Sequence, residues 1–300
     1  MGVESLARRG IPFHGSLVLM PEAVGWEDIE QTVSFLDGQG CRTIRLLMPG
    51  YTDWGRSRGQ SAGMSLSDWD SLGDRVDELR DRYRTPITTE PALWDRDGRG
   101  ATLSARVEGV IKGSPAAAAG LRSGDQITEV DGIKVFSRVD AFERVRQSGC
   151  PRLKVVRRDG RPVKELEIQV AKSPGESSGL VMNYDIAPQL VRRIKDRAVG
   201  GGTLVLTSRL AGPVLKAAGL DGVFIQAAAN QTLGGNIGCA GLLTVSDLVE
   251  GFHEFRDRSP GMDLQRVLVP EIAFDHRGED LTGRGFWEIE SLTGVKVISI

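Results

Sequence analysis

Short apolar runs alternate with amphipathic stretches over the first third of the chain. The pattern predicts a strand over 16–20, a helix over 26–36, a strand over 43–48, a helix over 67–83 and a strand over 86–90. That order, βαβαβ, is the unit of a parallel sheet. The second helix is well bounded: Ser67 stands ahead of Asp68 and Asp70, and Arg80, Arg82 and Arg84 gather at the far end, as the helix dipole favours. Residues 50–63 between are rich in Gly, Ser and Arg and read as a loop at the carboxyl end of a strand, where parallel α/β folds carry their sites.

The pattern shifts across a polar, glycine-rich linker at 94–100. Short strands are then predicted over 103–111, 126–130, 153–157 and 164–170, with a helix over 139–147 among them, the makings of a small α+β domain. A Ser, Gly and Pro stretch at 173–179 reads as a second linker. Alternation returns with strands over 203–207, 222–227, 266–272 and 295–300 and helices over 210–218, 245–256 and 286–292. The expected chain is α/β and α+β and multidomain: 1–97 a partial parallel βα barrel, 98–175 the small domain, 176–300 a three-layer α/β domain.

Composition narrows the chemistry. With 38 Lys and Arg against 40 Asp and Glu among 300 residues, the net charge of -2 gives no bulk field toward nucleic acid or anionic membrane, so neither is an expected partner. Apolar stretches such as 15–21 and 240–245 fall far short of the roughly 20 residues that cross a bilayer. Residues 1–20 break at Pro12 and His14 and lack the small-residue cleavage site of a signal peptide, so a cytoplasmic location is expected. The three cysteines, Cys41, Cys150 and Cys239, are too far apart for a disulfide framework or a chelate, and His14, His253 and His276 form no ligand pair by spacing. No metal site is expected in this chain.

The most specific run is Gly113-Ser114-Pro115-Ala116, Ala119-Gly120-Leu121, Gly124-Asp125, Ile127 and Val130-Asp131-Gly132. Pro115 and Ala116 can open a short helix that Gly120 ends in a left-handed turn, and Gly124-Asp125 turns the chain into a strand closing at Asp131-Gly132. Residues 101–171 resemble a PDZ domain of the bacterial type. The resemblance implies that an extended peptide or C-terminal tail adds to a strand edge beside a helix. It places 139–147 as that helix, with Val139 and Phe142 either walling the groove or packing under the sheet. No Gly-Leu-Gly-Phe-like carboxylate loop stands before Leu103.

Bacterial PDZ domains often accompany proteases, yet the nearest serine-protease-like run, Gly234 to Gly238, has Ile237 where a nucleophile would stand, and HExxH is absent. The same segment holds Asn230, Gly234, Gly235, Asn236, Gly241, Thr244 and Asp247. Glycines packed around an asparagine between a strand and a helix either bring backbone N–H groups to a ligand or make a tight structural turn. Asp247 suits the first turn of the helix that follows.

Together, the PDZ-like region and the run Asn230, Leu233-Gly234-Gly235, Ala240 to Thr244 and Asp247-Leu248 resemble a bacterial family of iron–sulfur oxidoreductases. Its members join a PDZ domain, a radical S-adenosylmethionine barrel and a C-terminal domain of unknown function. Residues 6–15, with 17–21 and 29–36 after them, look like late βα units of that barrel. The resemblance implies a [4Fe–4S] cluster on a CxxxCxxC loop, which this chain lacks. Cluster and S-adenosylmethionine are therefore expected only through a partner chain that carries such a loop, with this chain docking to it and recognising substrate or peptide. The alternative is a stand-alone, non-enzymatic PDZ peptide-binding module on an α/β scaffold. A third reading, an enzyme using Cys41 or Cys239, has no base placed beside either thiol, and no catalytic residue is assigned.

Overall fold

The computed structural model describes residues 2–58, 63–92, 102–158, 162–198 and 200–300. Contacts divide the chain into two units. One gathers the described residues of 1–49, 64–95 and 103–185, the other those of 50–63, 96–102 and 186–300. The linker expected over 94–100, with the boundary at 97, lies outside the described residues.

The first unit opens with α1 (Gly2–Arg8), β1 (Gly15–Val18), α2 (Pro21–Val24), α3 (Trp26–Gly38) and β2 (Ile44–Leu47). After α4 (Asp53–Ser57), which belongs to the second unit, come α5 (Leu66–Ser71), α6 (Gly73–Arg82) and β3 (Ile87–Glu90). β1, β2 and β3 form a parallel sheet in that order. Ile29, Val33 and Leu36 of α3 and Val76 and Leu79 of α6 pack with Ile44, Leu46 and Ile87, so the helices lie on one face. The other face stays open, with Val18 49% and Met20 47% exposed and an exposed Arg45–Glu90 ion pair beside them. The helix expected over 67–83 is two helices. Its cap is Ser65, whose side chain and Asp68 form a reciprocal capping box, and the chain tightens into a turn at Leu72.

The rest of this unit comprises β4 (Ala105–Arg106), β5 (Gly109–Val110), α7 (Pro115–Ala118), β6 (Gln126–Val130), β7 (Ile133–Lys134), α8 (Arg138–Gln147), β8 (Arg152–Arg157), β9 (Lys164–Gln169) and β10 (Leu180–Val181). β4, β6, β8 and β9 make an antiparallel sheet, with β7 paired to β6. The single strand expected over 103–111 is instead two. Val107 donates to the Asp125 carbonyl and Glu108 to the Val181 carbonyl, so the chain leaves one sheet and joins another within two residues. The expected turns are present: Gly120, Gly124, Asp131 and Gly132 all have positive φ.

The second unit holds α4, α9 (Pro188–Arg197), β11 (Thr203–Ser208), α10 (Ala211–Ala217), β12 (Val223–Ala228), α11 (Val245–Arg258), β13 (Arg266–Val269), α12 (Glu288–Thr293) and β14 (Lys296–Ser299). The four strands are parallel in the order β12, β11, β13, β14. A Cβ at Gly212 in α10 would meet the Ala227 Cβ at 3.4 Å, and one at Gly251 in α11 would meet the Ala228 Cβ at 2.9 Å. Successive strand residues face opposite ways, so α10 and α11 cover opposite faces of the sheet. Among the described residues no helix is long and apolar enough to cross a membrane.

Candidate functional site

β10 is the least conspicuous strand and the most consequential. It arrives after the predicted linker, from residues expected to start the last domain, and pairs antiparallel with β5, Leu180 opposite Val110 and Val181 opposite Gly109. The Gly179 and Val181 carbonyls accept from Ile111 and Glu108. Since main-chain groups alternate in direction along a strand, Leu180 and Met182 turn theirs the other way; among the described residues no strand pairs with that edge, where the Leu180 N–H donates to Ser178 Oγ at 3.2 Å. Gly179 makes the entry possible: its φ is +78°, and a Cβ there would lie 2.1 Å from the Ser114 Cβ.

α8 flanks the same segment. Ser137 caps it, accepting from the Asp140 N–H. A second cap comes from afar, because the Asp185 carboxylate accepts the Arg138 and Val139 N–H groups at 2.9 and 3.1 Å. Arg138 and Asp185 are a buried ion pair, 3.7 Å apart, with side chains 1% and 0% exposed. At the other end of α8, the Lys172 ammonium donates to the carbonyls of Arg146, Ser148 and Ser173 at 3.2, 2.6 and 2.8 Å. Cations at a helix C-terminus complement its exposed carbonyls and its dipole. Ala141 and Val145 take the core face of α8, in one cluster with Leu180. Val139 is half-buried and Phe142 is 38% exposed, so Phe142 is not a core residue; the two share the flank beside the core stripe.

A short strand, β10, thus lies beside the capped helix α8. Residues 106–157 match the PDZ domain family. β10, which pairs with β5, lies beyond the matched residues. No curated protein matches the chain, and the resemblance to radical S-adenosylmethionine and iron–sulfur proteins finds no support in these comparisons.

The other singled-out residues are placed as follows. Asp247, 2% exposed, accepts from the backbone of Gln231, Thr232 and Thr244 and from the hydroxyls of Thr232 and Thr244. Asn230 accepts from Leu233 N–H and donates to the Leu242 carbonyl, and Gly241 packs on Ile272. Gly234 and Gly235, at φ +66° and +65°, bring the loop to a segment of the same unit. There Gly235 N–H donates to the Asp53 carboxylate at 3.1 Å, and Asn236 exchanges bonds with the Tyr51 backbone. The loop is thus held against residues 51–53 of its own chain.

Cys41 is buried, donates to the Thr43 carbonyl, and has its thiol pushed up by burial, which opposes thiolate chemistry. Cys150 and Cys239 are exposed. His14 bonds Thr43 Oγ1 through Nδ1 at 2.7 Å, ahead of β1 and so at the amino end of the parallel strands, away from where such sheets carry sites. Among the described residues no three His, Cys, Asp or Glu side chains are grouped to hold a metal ion.

Proposed function

We infer that the chain is a protein-binding component whose PDZ domain takes an extended peptide by strand addition to the open edge of β10, with Val139 and Phe142 of α8 forming the opposite wall. The observation that carries this is the one-sided pairing of β10 beside α8. Main-chain bonds to the Leu180 carbonyl and to Met182 would supply affinity and the helix flank would supply selectivity. The test is peptide display against the full chain, followed by titration of the best binder. Met182→Pro, which removes an edge N–H, and Phe142→Asp should each weaken binding at least tenfold while the circular dichroism spectrum is kept. Binding indifferent to both changes, or no binder at all, overturns the reading.

A second reading is docking to a cluster-bearing partner, with S-adenosylmethionine and [4Fe–4S] supplied by that chain. Its support is the open face of the β1–β3 sheet, since parallel sheets usually have both faces covered. Co-expression with a CxxxCxxC polypeptide should yield a complex carrying iron that Val18→Glu disrupts; a complex insensitive to that change, or none, removes the reading.

A further inference from the structure

Away from β10, the first unit contains a hollow of about 210 Å³ between the end of α6 and the PDZ domain. Its apolar lining includes Pro86, Val110 and Leu121, and Arg80, Arg84 and Arg122 stand around it. The walls are fixed against each other at Gly109, where a Cβ would lie 2.6 Å from the Pro86 Cβ. They are also joined by a buried ion pair, Arg80 Nη2 to Glu108 Oε2 at 2.9 Å, with side chains 6% and 3% exposed.

The charges do not balance. Arg80 is matched by Glu108, but Arg84 and Arg122 are exposed and among the described residues neither guanidinium has an ion-pair partner. Arg80 itself is engaged on every side, donating through Nε to the Ile87 carbonyl and through Nη1 to Asp77, with its Nη2 against the Glu108 carboxylate. A small hollow with Pro86, Val110 and Leu121 in part of its wall and surplus positive charge at its rim is suited to one kind of ligand. The geometry points to a binding site for a small organic anion, with an apolar body about the size of one ring in the hollow and a carboxylate or phosphate held between Arg84 and Arg122. The volume suits it, since an apolar cavity of roughly 150 Å³ accommodates benzene.

This site is separate from the β10 edge and stands whether or not a peptide binds there. The experiment is calorimetric titration of the full chain with benzoate, phenyl phosphate and, as the neutral counterpart, benzamide. At least one anion binds, benzamide binds at least tenfold more weakly, and Arg84→Gln/Arg122→Gln weakens anion binding at least tenfold. Ala117→Leu, which keeps the charges but fills the hollow from α7, abolishes it, whereas Phe142→Asp has no effect. The proposal is overturned if neither anion binds, if benzamide binds as well as the anions, or if the double variant or Ala117→Leu binds like the parent.

Discussion

Asp185 closes the first turn of α8 from outside the helix, its Oδ2 accepting the Arg138 N–H at 2.9 Å across 47 residues of sequence. The same carboxylate neutralises the Arg138 side chain, which is almost wholly buried. Asp185→Ala removes that carboxylate, and breaking a buried pair from one side costs about 3–5 kcal/mol. Urea denaturation of the variant should show a loss of that size, with Asp185→Asn, which keeps an acceptor but not the charge, falling between. A fragment of residues 98–175 omits both Asp185 and β10 and should fail to give a cooperative transition.

Lys172 makes an equally sharp case at the opposite end of α8. Three carbonyls converge on its ammonium, and the residue is 7% exposed. Lys172→Met should lower stability by about 1–3 kcal/mol, because the part-buried Ser148 and Ser173 carbonyls lose the donor that the ammonium supplies. Lys172→Arg should not restore it, since a planar fork does not match three acceptors around a point. Thermal unfolding of the two variants checks both statements.

The clip between residues 51–53 and the 233–236 loop depends on glycine. At Gly235 the φ of +65° is joined by a Cβ position only 2.1 Å from the Tyr51 carbonyl oxygen. Gly235→Ala should therefore lose about 1–2 kcal/mol from the backbone conformation alone and detach the segment. Faster tryptic cleavage after Arg56 and Arg58 is the expected readout. Unchanged cleavage would mean that the clip does not restrain them.

Asp280 makes the second unit sensitive to acid. Burial disfavours its charge, but donation from the Thr282 hydroxyl and from the Val245, Arg284 and Thr282 N–H groups outweighs that and holds the carboxyl below its ordinary value of 3.8. A group lowered on folding contributes stability that is complete above the unfolded value and is lost as the pH falls through the native one. The gap in urea midpoint between the parent and Asp280→Asn should be wide at about pH 6 and narrow by about pH 3.

Alternation made both parallel sheets legible, because buried strands and one-faced helices impose their own periods on residues such as Ile44, Leu46, Val205 and Leu206. The PDZ turns were legible too, since Gly120 and Gly124 mark positions that few other residues tolerate. What escaped depends on partners distant in sequence. β10 is two residues long and follows a Ser, Pro and Gly stretch, so nothing local marks it as a strand. α9 is marked locally by Pro188 at its start and by the spacing of its buried Val191 and Ile194. Asp185 carries no mark of a cap, because the helix it serves lies far behind it in the chain. Of the candidate site, Phe142 was legible as a choice between groove and core; the edge opposite it was not.

The late arrival of β10 has a consequence for how the protein is made. Arg138 leaves the ribosome 47 residues before Asp185, an interval of about 2–9 s at common rates of synthesis. Glu108 waits longer still, 75 residues, for the Asn183 amide. Throughout that interval the nascent domain holds Arg138 without the Asp185 carboxylate and β5 without β10. The last residues of this unit therefore time its completion, and a pause in translation between codons 140 and 185 would lengthen the period in which another chain can take the place of β10.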